Sequence, residues 1–380
     1  MTTAEDLLGL DGLLTAEQRG WRDRARAAAT VIQSTIDADA EAAVFRREYV
    51  TLLADAGLIG LGIAGAGATA DATSYGLACY ELEAVDSSWR TFVSVQGPLA
   101  MGAIAKFGSD EQKQRWLEPM AAGAAIGCFA LTEPEGGSDP GAMSTTAVLV
   151  DGEWRITGTK CWIGLASIAD VAVVWARTGD GIRGFLVDTT VDGFTATDIT
   201  GKFALRASIQ CDVTLDRAIG ELLPGADGLS APFSCLTEAR YGIAWGAMGA
   251  ARACLDAAVS RSTTREVFGG PIGAKQLVQQ RLAEAFVEYE KGMLLALHLA
   301  ALKDAKSLTP TQMSIGKLNN VREAIAIAHA AREILAGDGV TDEFPVMRHL
   351  ANLEAVRTYE GTDDIHTLVI GRGLTGLAAF

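Results

Sequence analysis

What most constrains this chain is a change of texture along its 380 residues: helical periodicity, then short β-type runs, then helical periodicity again. In residues 19–37, 47–56, 74–85 and 93–107 apolar side chains recur at three- and four-residue spacing, which gathers them on one helix face. Ser109-Asp110-Glu111-Gln112 reads as a capping box opening a further helix, the Ser109 hydroxyl taking the Gln112 N–H while Gln112 reaches back. Between about residues 126 and 224 the runs shorten and are broken by Gly and Asp. Residues 146–150 turn at Asp151-Gly152 into 154–158, followed by 171–177, 184–187, 194–199 and 211–215, which predicts an antiparallel sheet or small barrel. After Gly228 the helices return and lengthen, over 231–260, 274–305, 311–336, 346–360 and 365–374. In the first of these, Gly242, Ala244, Gly246 and Gly249 put small residues close together, so another helix can approach although each glycine weakens its own helix by about 1 kcal/mol. Long antiparallel helices with such faces predict a bundle that packs against other subunits. The predicted fold class is α+β, with an N-terminal helical domain over 1–125, a middle antiparallel β domain over 126–228 and a C-terminal four-helix-bundle-like domain over 229–380. Clefts between such domains suit an elongated ligand.

Charge and cysteine usage narrow the function. Lys plus Arg number 32 and Asp plus Glu 47, a net charge of −15. Nucleic-acid backbones are held by clustered positive charge, so no nucleic-acid partner is expected. Apolar runs stop short of the roughly 20 residues that span a bilayer, so no membrane insertion is expected. The opening MTTAEDLLGL is acidic and lacks the cationic region of a secretory signal, which makes a cytoplasmic protein the expectation. Cys79, Cys128, Cys161, Cys211, Cys235 and Cys254 form no CxxC pair, and His298, His329, His349 and His366 form no HExxH. Neither a disulfide framework nor a metal site is therefore expected.

No GxGxxG follows a strand and no GxxxxGK[ST] is present, so a nucleotide cofactor would have to be held another way. Residues 128–139 run from a strand end into a Gly/Ser-rich loop whose N–H groups can cradle an anion, although by itself such a segment reads more simply as a turn. Taken together, FALTEPEGGSDP, Lys160-Cys161-Trp162-Ile163, Arg265-Glu266-Val267-Phe268-Gly269, Ile334-Leu335-Ala336-Gly337-Asp338-Gly339 and Tyr359-Glu360-Gly361-Thr362 resemble, in order and spacing, the flavin-dependent acyl-CoA dehydrogenases. The resemblance covers nearly the whole chain. Within that family, Asp86-Ser87-Ser88-Trp89-Arg90 with Ser94-Val95-Gln96, the segment from Gly201 to Ser208, Ala239-Arg240-Tyr241-Gly242, and Arg348-His349 with Asn352-Leu353-Glu354 look most like the glutaryl-CoA type. It implies a homotetramer with one FAD per subunit, the flavin ring lying between the β domain and the C-terminal helices, and an electron-transfer flavoprotein as acceptor.

The chemistry can be reasoned without the family. Desaturating a thioester beside its carbonyl requires removal of a weakly acidic α-proton while a hydride leaves the β-carbon. A carboxylate in a desolvated pocket suits the first task, because burial raises its pKa toward the working pH. A flavin suits the second. Glu360 alone would read as a solvated carboxylate at a helix end; the resemblance makes it the base, with Tyr359 and Gly361 lining the substrate beside it. Phe129 and Trp162 read equally as core aromatics, but by resemblance they flank the flavin, with the backbone of Leu131 and Thr132, the loop residues Gly137 and Ser138, and Ile163 and Gly164. Ser138 would touch substrate as well. By the same resemblance Arg265, Phe268 and Gln276 reach the FAD of a neighbouring subunit, Glu333, Ala336 and Gly337 form a second cofactor loop, and Thr362 and Asp364 make the last contacts. Arg240 would lie along the CoA arm.

Arg90 reads plainly as an exposed partner of Asp86; by resemblance it meets the free carboxylate of the acyl chain, with Glu83, Thr91 and Ser94 nearby. After desaturation, a carboxylate on the γ-carbon can leave as carbon dioxide because the electrons delocalise into the thioester as a dienolate, and reprotonation of that dienolate gives crotonyl-CoA. Gly164 stands where the family usually has threonine, which predicts a gap beside the flavin. Two rival readings keep parts of this: an oxidase or biosynthetic dehydrogenase on another carboxylated or carrier-protein-bound thioester, and a helical scaffold that binds acyl-CoA without turning it over.

Overall fold

Side-chain caps fix where several helices begin. Thr15, Ser109 and Thr309 each accept from the backbone N–H of a glutamine three residues on, and each glutamine returns the bond. The computed structural model of the chain describes residues 6–66 and 68–379, so the first five residues of the acidic N-terminal stretch lie outside it. The N-terminal helices are α1 (Ala16–Gln33), α2 (Ile36–Ala42), α3 (Glu48–Asp55), α4 (Ala72–Val85), α5 (Ser87–Ser94), α6 (Gly102–Phe107) and α7 (Asp110–Ala121). The single helix predicted over 19–37 is broken after Gln33. There Ser34 donates to the Val31 carbonyl at 2.7 Å and Thr35 to the Asp39 carboxylate at 2.7 Å, side-chain bonds that compete with the helical ladder. The one predicted over 93–107 contains a wide π-helical stretch, Val95–Met101, around Pro98, which has no N–H to offer the ladder. Gln96, buried in this stretch, donates to the Met120 and Ala125 carbonyls and accepts from the Gly127 N–H at 2.8 Å. It ties the helical layer to the first strand.

The middle region carries β1 (Gly127–Ala130), β2 (Thr146–Val150), β3 (Glu153–Gly164), β4 (Val171–Thr178), β5 (Gly181–Asp188), β6 (Phe194–Asp198) and β7 (Gln210–Asp227). Pairings β4–β2, β2–β3, β3–β7, β7–β5 and β5–β4 close a ring, a small barrel to which β1 and β6 are added. Most pairs are antiparallel as expected, but β1 runs parallel to β4, in register Gly127↔Val171. The intervening β2–β3 hairpin supplies the long connection a parallel pair requires.

In the C-terminal region α8 (Ser230–Thr264) is followed by a short hairpin of β8 (Glu266–Val267) and β9 (Gly270–Pro271), then α9 (Gln276–Asp304), α10 (Pro310–Leu335), α11 (Val346–Thr358) and α12 (Asp363–Thr375). The small-residue face of α8, expected to meet other subunits, is used within the chain by α4. A Cβ on Gly249 would lie 1.9 Å from the Tyr80 carbonyl, and one on Gly246 1.9 Å from Glu83 Oε2. One apolar core runs through all three regions. The segment before β7 pins them together: the Leu205 N–H donates to Asn352 at 2.7 Å, and Arg206 donates to the carbonyls of Ala40 and Glu41.

Candidate active site

Helix α11 stops at Thr358, two residues earlier than the periodicity predicts, because Glu360 (φ 55°) and Gly361 (φ 97°) both enter the left-handed region. Gly361 is obligatory there: a Cβ would sit 2.7 Å from His366 Nε2. Glu360 has no such freedom and holds a conformation that costs an ordinary residue about 1–2 kcal/mol. Its carbonyl accepts from Arg240 Nε at 2.7 Å, and Lys317 Nζ donates to the carbonyls of Tyr359 and Gly361. Glu360 Oε2 is buried with no hydrogen-bond partner. Burial pushes this carboxyl above its usual range, against the pull of the Arg90, Lys317 and Arg240 cations. His366, bonded through Nδ1 to Ser314 Oγ at 3.0 Å, is brought down to about 3 by burial and by the cations Lys317 and Arg240, so it stands neutral beside the loop.

Facing this loop are α4 and α5, joined at Asp86. Arg90 and Glu83 are each 0% exposed and bonded Nε to Oε2 at 2.6 Å. The alternative pairing of Arg90 with Asp86 is overturned. Asp86 instead caps α5 through the Ser88 N–H and accepts from Arg348 at 2.8 Å and Asn352 at 2.9 Å. Arg90 Nη2 donates to the Tyr359 hydroxyl, which lies 3.1 Å from Thr91 Oγ1. Arg90 Nη1, Glu83 Oε1 and Ser94 Oγ are buried without partners. Glu83, Arg90, Thr91, Tyr359 and Glu360 thus converge on one place between α4, α5 and the loop after α11, with polar atoms left over to take a ligand.

The barrel side is built on β1 and β3. Phe129 is buried with its ring 5.7 Å from that of Trp175. The Leu131 carbonyl accepts from Lys160 Nζ at 3.0 Å and the Thr132 carbonyl from the Cys161 N–H at 3.0 Å, so the end of β1 is locked to β3. Lys160 also pairs with Glu133 at 2.9 Å. Burial pushes the Glu133 carboxyl up, but hydrogen bonds from Thr145, Ser144 and Lys160 outweigh it and bring the group down to about 2. A bulge between Lys160 and Ile163 gives Trp162 a φ of 59° and turns its indole outward, 60% exposed, while Ile163 stays buried. At Gly164 a Cβ would touch Val95 Cγ2 at 3.4 Å, so Val95 borders the gap expected there. Gly137 and Ser138 lie on the exposed loop after β1.

A second group of the expected cofactor residues is exposed at the surface: Arg265, Phe268, Gln276, Glu333, Ala336 and Gly337. Arg265 lies 3.9 Å from Asp338, Glu333 pairs with Arg281 at 3.2 Å, and Phe268 is 95% exposed. Thr362 caps α12 by accepting from the Ile365 N–H, and Asp364 is exposed in its first turn. Lys317, His366, Gln96 and the Glu133–Lys160 pair were missed by sequence reasoning. Lys317 and Asn320 left a signal: with Met313, Gly316, Val321 and Ala324 they occupy the inward stripe of α10, where a cation or an amide is out of place.

The acyl-CoA dehydrogenase N-terminal, middle and C-terminal domain families match residues 15–124, 128–218 and 226–375. The human mitochondrial short-chain specific acyl-CoA dehydrogenase is 38% identical over 316 residues, spanning 80% of this chain and 76% of that protein. The chain belongs to the acyl-CoA dehydrogenase family. It is an FAD-dependent dehydrogenase of the glutaryl-CoA dehydrogenase-like kind. A crystal structure of glutaryl-CoA dehydrogenase from Mycobacterium smegmatis superposes on this acyl-CoA dehydrogenase with a TM-score of 0.98 at 53% identity, covering 100% of this chain and 99% of that one. A glutaryl-CoA dehydrogenase from the same organism in complex with FADH2 matches with a TM-score of 0.98 at 48% identity, covering 100% of each chain.

Proposed function

We propose that this enzyme oxidises glutaryl-CoA and decarboxylates the product to crotonyl-CoA and carbon dioxide. The observation that carries the reading is Arg90: wholly buried, beside Glu360, with Nη1 unpartnered. A guanidinium fork is the side chain best matched to a carboxylate, and one kept dry with a free donor awaits an anion. The likeness to glutaryl-CoA dehydrogenases supports it.

The residues fit a flavin. Trp162 offers an exposed indole face on β3, and Ser94 Oγ and Glu360 Oε2 are buried polar atoms left without partners. Phe129, Leu131, Thr132, Gly137, Ser138, Trp162, Ile163 and Gly164 would hold the ring and its neighbours, with Thr362 and Asp364 beyond. Bound FAD supplies the hydride acceptor. Glu360 removes the α-proton; its desolvation makes it a stronger base than a carboxylate in water. The Glu360 N–H polarises the thioester oxygen, and Arg240 and Tyr359 orient the acyl-CoA. Arg90, steadied by Glu83, Thr91 and Tyr359, positions the distal carboxylate and then lets it go as carbon dioxide once the developing charge has moved toward the thioester. Arg265, Phe268, Gln276, Glu333, Ala336 and Gly337 serve the FAD of a neighbouring subunit in a homotetramer, a reading supported by the 95% exposure of Phe268. An electron-transfer flavoprotein takes the electrons onward.

One observation favours a second reading. Glu83 already neutralises Arg90, and a neutralised pair tolerates an uncharged short acyl chain. Anaerobic flavin bleaching and carbon dioxide release with glutaryl-CoA and butyryl-CoA decide between them. Carbon dioxide formed with flavin reduction by glutaryl-CoA supports the proposal; bleaching by butyryl-CoA alone sinks it.

A further inference from the structure

Two cations hold three consecutive carbonyls around Glu360. Lys317, on α10, donates to the Tyr359 carbonyl and, at 2.5 Å, to the Gly361 carbonyl; Arg240, on α8, donates to the carbonyl of Glu360 itself at 2.7 Å. Lys317 is 1% exposed and sits on the apolar stripe of its helix. Taking an ammonium out of water is costly, and water or a C-terminal glycine satisfies the carbonyls at most helix ends without one. Here the segment held is a non-glycine residue with φ 55°, and its neighbour Gly361 is too close to His366 for any side chain. Strained backbone of this kind persists only where the surroundings over-determine it.

We propose that Lys317 is a positioning residue for the reaction: with Arg240 as the second jaw, it clamps Glu360 in the left-handed conformation that aims its carboxylate into the pocket. This rests on the reading of Glu360 as the base. The charged and titratable groups facing Lys317 are Glu360 on the loop, Arg240 on α8, Arg90 on α5, Asp363 at the start of α12 and the neutral His366 within α12. Burial, opposed by Glu360 and reinforced by Arg240 and Arg90, brings the Lys317 amine down to about 7. A neutral amine still donates two hydrogen bonds, so the grip on both carbonyls outlasts the charge, whereas the charge also favours ionised Glu360.

The test uses the FAD-loaded enzyme. In Lys317→Met, acyl-CoA affinity stays within about twofold, while flavin reduction per bound FAD falls at least about tenfold, since a small misplacement of a catalytic group is expensive. The pH midpoint of flavin reduction moves up, because a cation that favoured the carboxylate is gone, and a crystal structure finds Glu360 relaxed to negative φ. If Lys317→Met does not fold, Lys317→Leu, which likewise has no donor, is read for the same fall in flavin reduction per bound FAD and the same upward shift of the midpoint. Wild-type rate and midpoint per bound FAD, with losses confined to melting temperature, overturn the clamp. Glu360→Gln separates the two ideas. Bleaching at wild-type rate in that variant removes the base and the clamp with it, whereas an inactive Glu360→Gln beside an unperturbed Lys317→Met removes the clamp alone.

Discussion

The pocket around Arg90 and the surface around Phe268 carry the same kind of expectation from sequence and are finished to different degrees. In the first, Glu83, Arg90, Thr91, Tyr359 and Glu360 are drawn from α4, α5 and the loop after α11; Glu83, Arg90 and Thr91 are buried, and Tyr359 and Glu360, half-buried, close over them with Glu360 Oε2 out of water. In the second, Arg265, Phe268, Gln276 and Glu333 stand in solvent, with Phe268 95% exposed. The difference teaches that the residues proposed for acid–base work find their partners within one chain, whereas those expected to hold the cofactor's nucleotide stand in solvent on a single subunit, as the proposed homotetramer would require.

The largest effect breaks the pocket at its base. Glu360→Gln keeps shape and removes the carboxylate, so flavin reduction should fall about 10²–10⁴-fold while acyl-CoA binding is retained. In the wild type the same rate should rise with pH through a midpoint above the ordinary carboxylate range, because burial holds the Glu360 proton on and only the ionised form abstracts. Stopped-flow bleaching across pH checks both; a midpoint at the ordinary value would show that desolvation does not tune this group.

Next, Arg90→Met leaves Glu83 buried and unpaired, which costs roughly 3–5 kcal/mol. Glutaryl-CoA turnover should drop far more than butyryl-CoA turnover, and the melting temperature should fall. The double variant Glu83→Gln/Arg90→Met separates these, recovering stability but not preference for the carboxylated ester. Equal losses on both esters in the double variant would make Arg90 purely structural.

A smaller effect sharpens the other side. Phe268→Ala should leave urea unfolding of an isolated subunit unchanged, since the ring touches so little, but weaken assembly and FAD retention by about 2 kcal/mol if it anchors a neighbour. Sedimentation and flavin content at matched concentration are the readout. Unchanged assembly and FAD content would leave Phe268 an idle surface residue.

Smallest is Gly164→Thr. A neutral hydrogen bond contributes about 0.5–1.5 kcal/mol, so flavin reduction should quicken only several-fold and peroxide formation slow. The new Cβ would lie 3.4 Å from Val95 Cγ2, an ordinary contact, so the variant should fold normally. Identical rates in anaerobic and aerated buffer would make the glycine neutral.

Local chemistry wrote part of this molecule legibly. The Ser109 capping box forms as its spacing implies. Asp151-Gly152 makes the two-residue hairpin turn, both residues at positive φ, between Val150 and Glu153. Each needs only residues within a few positions of one another. Other features were not legible for the same reason in reverse. Strand β3 continues past Gly158 to Gly164 because β7, far along the chain, offers partners along its length. The π-helical stretch in the helix predicted over 93–107 carries Gln96, whose partners come from beyond α6.

The sequence by itself determined the helix start at Ser109, the Asp151-Gly152 hairpin and the helix–strand–helix order, and by resemblance it supplied the candidate site residues as expectations. Only the tertiary structure decided that Arg90 pairs with Glu83 rather than Asp86, that Lys317 reaches the loop 42 residues later, and that Glu360 sits where its proton is held tightly. Hydrogen-bonded caps and turns close over a few bonds of the chain, so their partners are neighbours in sequence. Desolvation and ion pairing depend on whatever surrounds a group in space, and around Glu360 that means α5, α8 and α10 brought together only by folding.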